Sequence, residues 1–439
     1  MPNRRRAVAL EKFVIQGGHR LRGEVTVSGS KNASLPILAA TLLTDTPCDL
    51  GAVPRLRDVD TMAGILRNLG VGVERGAEGR IRTEPKGEAC CEAPYELVST
   101  MRASFCVLGP LLAKRGYAKV ALPGGCAIGD RPVDLHLKGL RALGAQLQIE
   151  HGYVIARAGS LRGANVYLGG PAGSSVLGTA NVMMAACLAD GATVIEHAAC
   201  EPEVVDLADF LIGMGASVEG AGSHCIRVRG VRRLEGCAHD VIPDRIEGAT
   251  LMLAAAATRG DVVFRNLEPA HLEAVLDKFQ DARINFSRNC KVVRVCVPDR
   301  PRAVELTTLP YPGFPTDLQA QMMAVMCLGQ GASVFTDGIY PERLHHVAEL
   351  KRMGAQILRV NNTCVVIGTE RLQGAPVMAS DLRAGAALVI AGLCAEGETH
   401  VRRVYHLDRG YEDLEAKLRS LGAVIRREPD ETPEQPTKV

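Results

Sequence analysis

The sequence predicts an α/β protein of two domains, built from six repeats of a βαβαββ-type unit with buried helices and outer sheets. Three observations carry that prediction. A nearly all-apolar stretch recurs six times along the chain, each copy opening on polar or basic residues. An amphipathic stretch ending in Leu/Met-Gly-Ala/Val keeps the same beat, and β-branched runs follow both.

The apolar copies begin near Lys31 (KNASLPILAATLLTD), Thr100 (TMRASFCVLGPLLAKRG), Ser175 (SVLGTANVMMAACLADG), Arg245 (RIEGATLMLAAAATRG), Thr316 (TDLQAQMMAVMCLGQG) and Leu382 (LRAGAALVIAGLCAEG). Successive starts lie 69, 75, 70, 71 and 66 residues apart, which is the signature of a repeated structural unit. A helix apolar all round must be buried on every side, so these helices face inward. A strand-like run follows each, as in Ala192-Thr193-Val194-Ile195 and Asp261-Val262-Val263-Phe264.

The second phrase reads Leu69-Gly70-Val71, Leu143-Gly144-Ala145, Met214-Gly215-Ala216, Met353-Gly354-Ala355 and Leu421-Gly422-Ala423, with a degenerate fourth copy at Asp281-Ala282-Arg283. Ahead of the third copy, Val204, Val205, Leu207, Ala208, Leu211 and Met214 fall on one helical stripe. The glycine stands where a left-handed C-cap is wanted. Alternating runs then follow, such as Val218/Ile226/Val228 and Ala355/Ile357/Val365/Ile367, which read as hairpin strands.

Before the first unit stand two more strands, Phe13-Val14-Ile15 and Glu24-Val25-Thr26-Val27, while the sixth unit ends without a hairpin of its own. The early strands are therefore expected to complete the C-terminal domain. The predicted limits are 31–243 for one domain and 1–30 plus 244–430 for the other. Residues 431–439, the end of the polar, Pro-rich run EPDETPEQPTKV, are expected to be a disordered tail. Loops of both domains meet at the junction, so that cleft is the expected binding site.

Composition narrows the function. Lys and Arg total 51 against 49 Asp and Glu, a net charge of +2, which gives no electrostatic case for nucleic acid or a membrane surface. Any anion site has to be built locally. The 14 cysteines include adjacent Cys90 and Cys91 but no CxxC pair, so no metal is predicted. Arg4-Arg5-Arg6 is followed only by Ala7 to Leu10 before Glu11, too short for a signal peptide. The longest apolar run, Ala384 to Ala395, has twelve residues and does not span a bilayer. Reduced thiols and a cytoplasmic location are expected. No GxxxxGK[ST] or strand-linked GxGxxG occurs, so no nucleotide cofactor is predicted.

The stretch Leu122-Pro123-Gly124-Gly125-Cys126-Ala127-Ile128-Gly129-Asp130-Arg131-Pro132 reads as a tight surface loop whose backbone can approach a ligand. It sets a thiol, Cys126, five residues from the Arg131 guanidinium, a setting that favours thiolate. Lys31-Asn32, Arg102, Arg245 and Arg383 stand at or near inner-helix starts. A helix N-terminus binds anions and disfavours cations, so four cations at one repeated position point to a polyanionic ligand. Inter-domain ion pairing is the competing account. Asp317 holds the same position with the opposite sign, as a helix cap or as a base toward a hydroxyl. Arg343 and Arg409 lie in loops after strands and suit bidentate binding of carboxylate or phosphate.

As phrases, Gly29-Ser30-Lys31-Asn32-Ala33, Met101-Arg102-Ala103-Ser104, Leu122 to His136, Glu201-Pro202-Glu203, Pro243-Asp244-Arg245-Ile246-Glu247, Phe314-Pro315-Thr316-Asp317, Asp381-Leu382-Arg383-Ala384 and Leu407-Asp408-Arg409-Gly410-Tyr411 resemble those of the UDP-N-acetylglucosamine enolpyruvyl transferases. The likeness runs from about Phe13 to Arg426. It implies the two-domain inside-out α/β barrel of the enolpyruvyl transferase superfamily. It also implies transfer of the enolpyruvyl group of phosphoenolpyruvate to the 3′-hydroxyl of UDP-N-acetylglucosamine, releasing phosphate. That reaction opens peptidoglycan synthesis and so serves cell-wall biogenesis, cell shape and division.

By the same resemblance Lys31, Asn32, Arg102, Cys126, Arg131 and Arg409 surround phosphoenolpyruvate. Asn32, Arg102, Arg131, Pro132, Val133, Asp134, Leu135, Ser175, Val176, Asp317 and Ile339 touch the sugar nucleotide. Cys126 acts as acid or covalent nucleophile, Asp317 is the base, and Lys31 and Arg409 complete the catalytic set. Arg57, Asp244, Arg245, Arg343 and Arg383 support them. The substrates are the only partners implied. An epoxide phosphonate such as fosfomycin is expected to alkylate Cys126 alone. The chain departs from the family pattern at Arg55 and Arg57, at Leu177, at Cys200 and at Pro341-Glu342-Arg343. Two alternatives share the scaffold: a shikimate-pathway enolpyruvyl transferase, and a non-catalytic sugar-nucleotide-binding regulator.

Overall fold

The all-apolar repeats form the interior. In a computed structural model, which describes residues 10–86, 90–123, 133–171 and 173–430, the inner helices are Lys31–Ala40, Leu108–Arg115, Val176–Ala186, Arg245–Ala257, Gln319–Met326 and Leu382–Cys394. Every residue of Arg245–Ala257 is buried, as a helix without a polar face requires. Two copies differ at their starts. Residues Arg102–Val107 and Thr316–Leu318 are 3-10 turns that lead into α-helices. In the first of these the α-helix opens at Leu108, which puts Pro110 in its first turn, where no intrahelical N–H bond is lost. Pro36, by contrast, stands inside Lys31–Ala40.

Each unit puts a four-stranded sheet outside its inner helix. In the fifth unit Glu305–Thr308 runs parallel to Ala332–Asp337, which pairs antiparallel with Thr363–Ile367 and through it with Gln356–Val360. The alternation of the strand sends Ser333, Phe335 and Asp337 inward, the period-2 pattern of a sheet with one buried face.

Two sheets exchange a strand. Arg22–Thr26 precedes the first inner helix, yet it pairs with Asp261–Arg265 after the fourth. Ala238–Asp240 precedes the fourth inner helix, yet it pairs with Cys48–Gly51 after the first. The chain therefore crosses twice between two hydrophobic cores. One core is formed within residues 33–241, the other within 13–27 and 246–425, and we call the two halves lobes. The strand Glu11–Gln16 lies between Glu398–Arg402 and Val424–Pro429, giving the sixth sheet its fourth strand.

The crossing segments run side by side, bridged antiparallel at Gly29 and Pro243. Ser30 N–H donates to the Ile242 carbonyl at 2.7 Å and Asp244 N–H to the Ser28 carbonyl at 2.8 Å. A Cβ on Gly29 would lie 1.7 Å from the Ala52 carbonyl oxygen, so only glycine fits there. Among the described residues no helix is long and apolar enough to cross a membrane.

Candidate active site

The site begins where the chain crosses. Asp244 caps the fourth inner helix, its Oδ1 accepting from Ile246 N–H at 2.8 Å and Glu247 N–H at 2.9 Å. Its Oδ2 accepts from Lys31 N–H at 3.1 Å. One buried carboxylate thus satisfies free N–H groups at two helix starts, one in each lobe.

From its own helix start Lys31 sends Nζ to Asp58 Oδ2 at 2.7 Å. Arg409, on a 3-10 turn of the other lobe, donates Nε–H to Asp58 Oδ1 at 2.9 Å. Burial pushes the Asp58 carboxyl up, and the charges and hydrogen bonds of Lys31 and Arg409 outweigh it, leaving the group below its ordinary value. A second contact crosses alongside, Arg57 with Asp408 at 3.4 Å. Asn32 follows Lys31 on the same helix and is half-buried.

Asp317 is gripped from both sides. Arg343 Nη1 donates to Oδ1 at 2.6 Å and Arg383 Nη2 to Oδ2 at 3.1 Å. Burial raises its pKa, but the two guanidinium groups hold it well below the usual carboxylate range. Arg383 also donates to the Tyr411 hydroxyl at 3.0 Å. Burial pulls the Arg383 pKa down, while Asp317, Tyr411 and Asp244 drive it up, so this guanidinium stays charged. Its helix start is capped by Asp381 Oδ1, which accepts from Arg383 and Ala384 N–H. Tyr411 stands two residues from Arg409, so one short segment serves both clusters.

Arg245 answers the choice posed by the sequence. It makes a bidentate pair with Glu203 of the other lobe, Nε to Oε1 at 3.0 Å and Nη2 to Oε2 at 3.2 Å, and sits over the Tyr311 ring. Each inner-helix cation with a described ion pair thus meets a protein carboxylate: Lys31, Arg245 and Arg383 do so with Asp58, Glu203 and Asp317.

Arg102 opens the 3-10 turn of the second unit. Burial, then the Arg102 charge, pushes the His136 pKa down to about 3. The neutral ring accepts at Nδ1 from Asn181 Nδ2 at 3.0 Å. Val133, Asp134 and Leu135 stand at the start of helix Asp134–Ala142. Ser175 caps the third inner helix by accepting from Gly178 N–H at 3.1 Å, and Val176 follows it. Close by, a Cβ on Gly173 would meet Pro310 Cγ of the other lobe at 2.7 Å. Ile339 is half-buried after strand Ala332–Asp337. Cys126, Arg131 and Pro132 lie outside the described residues, as does the tail 431–439.

The fold thus gathers Lys31 and Arg409 around Asp58, and Arg343 and Arg383 around Asp317. Three residues that sequence reasoning did not single out hold these clusters: Asp58, Tyr411 and Asp337. Tyr411 stood in the phrase Leu407 to Tyr411 without a role of its own, and Asp337 carried a turn signal, Asp-Gly after a β-branched run. Among the described residues no group of three His, Cys, Asp or Glu could hold a metal ion.

Comparison with known proteins shows the family and the fold. Residues 15–418 match the family model described as EPSP synthase (3-phosphoshikimate 1-carboxyvinyltransferase). A UDP-N-acetylglucosamine 1-carboxyvinyltransferase of Trichlorobacter lovleyi is 53% identical over 420 residues, which cover 95% of this chain and 99% of that protein. One of Geobacter metallireducens is 51% identical over 418 residues, again 95% and 99%. Among solved structures, the enolpyruvyl transferase NikO from Streptomyces tendae superposes with a TM-score of 0.87 at 22% identity, over 96% of this chain and all of that one. These neighbours share the α/β architecture with helices inside and sheets outside. The chain belongs to the EPSP synthase (3-phosphoshikimate 1-carboxyvinyltransferase) family, and within it to the UDP-N-acetylglucosamine 1-carboxyvinyltransferases.

Proposed function

We propose that the protein transfers the enolpyruvyl group of phosphoenolpyruvate to the 3′-hydroxyl of UDP-N-acetylglucosamine and releases inorganic phosphate. The observation that carries this reading is the pair of clusters just described. An ionised carboxylate, Asp317, sits between two guanidinium groups, and two further cations from opposite lobes meet at Asp58. Near full-length likeness to UDP-N-acetylglucosamine 1-carboxyvinyltransferases supports the same substrates.

The chemistry proceeds by addition and elimination. In the first step Cys126 delivers a proton to the methylene carbon of phosphoenolpyruvate. The sugar 3′-oxygen bonds to the adjacent carbon and gives its proton to Asp317. In the second step the new methyl carbon gives a proton back to the Cys126 thiolate, the double bond returns, and the carbon–oxygen bond to phosphate breaks, the departing phosphate taking up the proton held by Asp317. Lys31, Arg102, Arg131 and Arg409 neutralise the phosphate and carboxylate, which need several charge-assisted bonds to leave water. Asp317 is in its acceptor form across neutral pH, and each of its oxygens, bonded to one arginine, keeps a further lone pair for the sugar hydroxyl.

On the nucleotide side the reading assigns Asn32, Val133, Asp134, Leu135, Ser175, Val176 and Ile339, with Arg57, Asp244 and Arg245 supporting. Asp317 and Arg409 lie in one lobe and Lys31 and Arg102 in the other, and the reading takes the domain limits as 31–243 and 1–30 plus 244–430. Closure of the lobes then assembles the site. The activity places the protein in the cytoplasm, at the opening of cell-wall synthesis and so upstream of cell division. Phosphate release from phosphoenolpyruvate is expected with UDP-N-acetylglucosamine and not with shikimate 3-phosphate. Release with shikimate 3-phosphate alone would favour the shikimate-pathway reading, and release with neither would leave a regulator.

A further inference from the structure

At the end of strand Ala332–Asp337 stands a carboxylate with no exposed surface. Asp337 Oδ1 accepts from the Thr308 hydroxyl at 2.8 Å, from Ile339 N–H at 2.9 Å and from Tyr340 N–H at 2.7 Å. Its Oδ2 accepts from the Thr316 hydroxyl at 2.8 Å. The two backbone bonds are what an aspartate ordinarily does at a turn. The Thr316 bond is different, because it reaches out of the turn to the residue before Asp317.

That hydroxyl is used twice. While it donates to Asp337, it lies 3.5 Å from Arg343 Nη1, the same nitrogen that donates to Asp317 Oδ1 at 2.6 Å. A closed ring results, from Asp337 through Thr316 and Arg343 to Asp317, which follows Thr316 in the chain. Arg343 in turn lies on the loop whose first N–H groups Asp337 fixes. One buried acid therefore ties together the end of strand Glu305–Thr308, the 3-10 turn of Asp317, and the loop of Ile339 and Arg343.

We propose that Asp337 is a positioning residue for the transfer reaction. Through Thr316 it fixes the direction in which Asp317 and Arg343 face the acceptor hydroxyl, and through its own turn it presets Ile339 against the sugar nucleotide. The inference rests on the enolpyruvyl transfer reading and deepens it. Buried networks of this kind hold geometry best when every member is satisfied, and a small displacement of a reacting group is costly in rate.

The experiment compares variants in the phosphate-release assay, with kcat and both KM values measured. Thr316→Val keeps the shape and deletes the hydroxyl. It should lower kcat roughly ten- to a hundred-fold while the KM for phosphoenolpyruvate stays at the wild-type value. Thr316→Ser should restore the rate. Asp337→Ala should lower kcat at least as far and also raise the KM for UDP-N-acetylglucosamine, and adding Thr316→Val to it should cost nothing more. Thr336→Val, on the outer face of the same strand, should behave as wild type.

Wild-type kcat and KM values in Thr316→Val would overturn the proposal, even if Asp337→Ala fails to fold. A rate that Thr316→Ser does not restore would overturn it too, since bulk and not the hydroxyl would then matter. Absence of turnover in the unmodified protein is a separate result. It strikes the functional reading itself and leaves the network to be judged by the melting temperatures of the same variants, where Thr316→Val should still be coupled to Asp337→Ala.

Discussion

At Asp58, two cations from opposite lobes meet one buried carboxylate, Lys31 at 2.7 Å and Arg409 at 2.9 Å. Removing an acid from such a place leaves two charges without their counter-ion. Breaking a buried pair in this way costs far more than losing a surface one. Asp58→Ala should therefore lower the unfolding free energy by about 3 kcal/mol, read from urea midpoints, and an unchanged midpoint would show that the junction is not structural. Lys31 and Arg383 were legible because cations recur at one position of the repeat, and Arg343 and Arg409 because they stand in loops after strands. Their partners were not. Arg409 and Asp58 are 351 residues apart, Tyr411 meets Arg383 only through the fold, and no local pattern encodes either contact.

The helices were the most readable elements, because a stretch without a polar face has one stable environment. Their starts were partly readable: Ser30, Ser175, Asp244 and Asp381 are good caps and act as such. The 3-10 entries at 102 and 316 were not, since tertiary packing decides between two geometries of similar energy. Close approach is the other hidden feature. The helix Leu108–Arg115 meets Val176–Ala186 at Gly109, whose N–H donates to Asn181 Oδ1 at 2.6 Å. A Cβ on Gly109 would stand 2.3 Å from both the Asn181 carbonyl and its side-chain oxygen. Gly109→Ala should thus destabilise the protein by roughly 1–3 kcal/mol despite its better helix propensity. A thermal melt equal to wild type would contradict the close packing of these two helices.

Across the whole molecule, the six repeats were plain in the sequence, and the early strands were expected on the C-terminal side because the sixth unit lacked a hairpin. The particular strand that each crossing segment pairs with was not legible: residues 22–26 and 238–240 carry no signal for Asp261–Arg265 or Cys48–Gly51 as neighbours. A global property follows from the buried histidines. Burial depresses His136 to about 3 and His346 to about 4. Between those values and the ordinary histidine pKa near 6.5, the unfolded chain binds protons that the folded chain refuses. Stability should therefore fall as pH drops below about 6.5, with a slope of about 1.4 kcal/mol per pH unit for each histidine. Asp58 and Asp317 act in the same direction only near and below the ordinary aspartate pKa of about 3.9, where the unfolded carboxyls take up protons that the depressed native ones still refuse. Urea unfolding at pH 7 and pH 5 reads the slope, and His346→Asn should flatten it; an equal slope in the variant would remove buried histidine as its cause.

The central claim is that the clusters at Asp58 and Asp317 serve enolpyruvyl transfer to a sugar nucleotide. Mass analysis of the nucleotide recovered after incubation with phosphoenolpyruvate and UDP-N-acetylglucosamine tests it most directly. The wild-type protein should yield the nucleotide carrying one added enolpyruvyl group, with one phosphate released per product, and Asp317→Asn should yield none above background. Unaltered nucleotide from the wild type, or equal product from Asp317→Asn, would contradict the account.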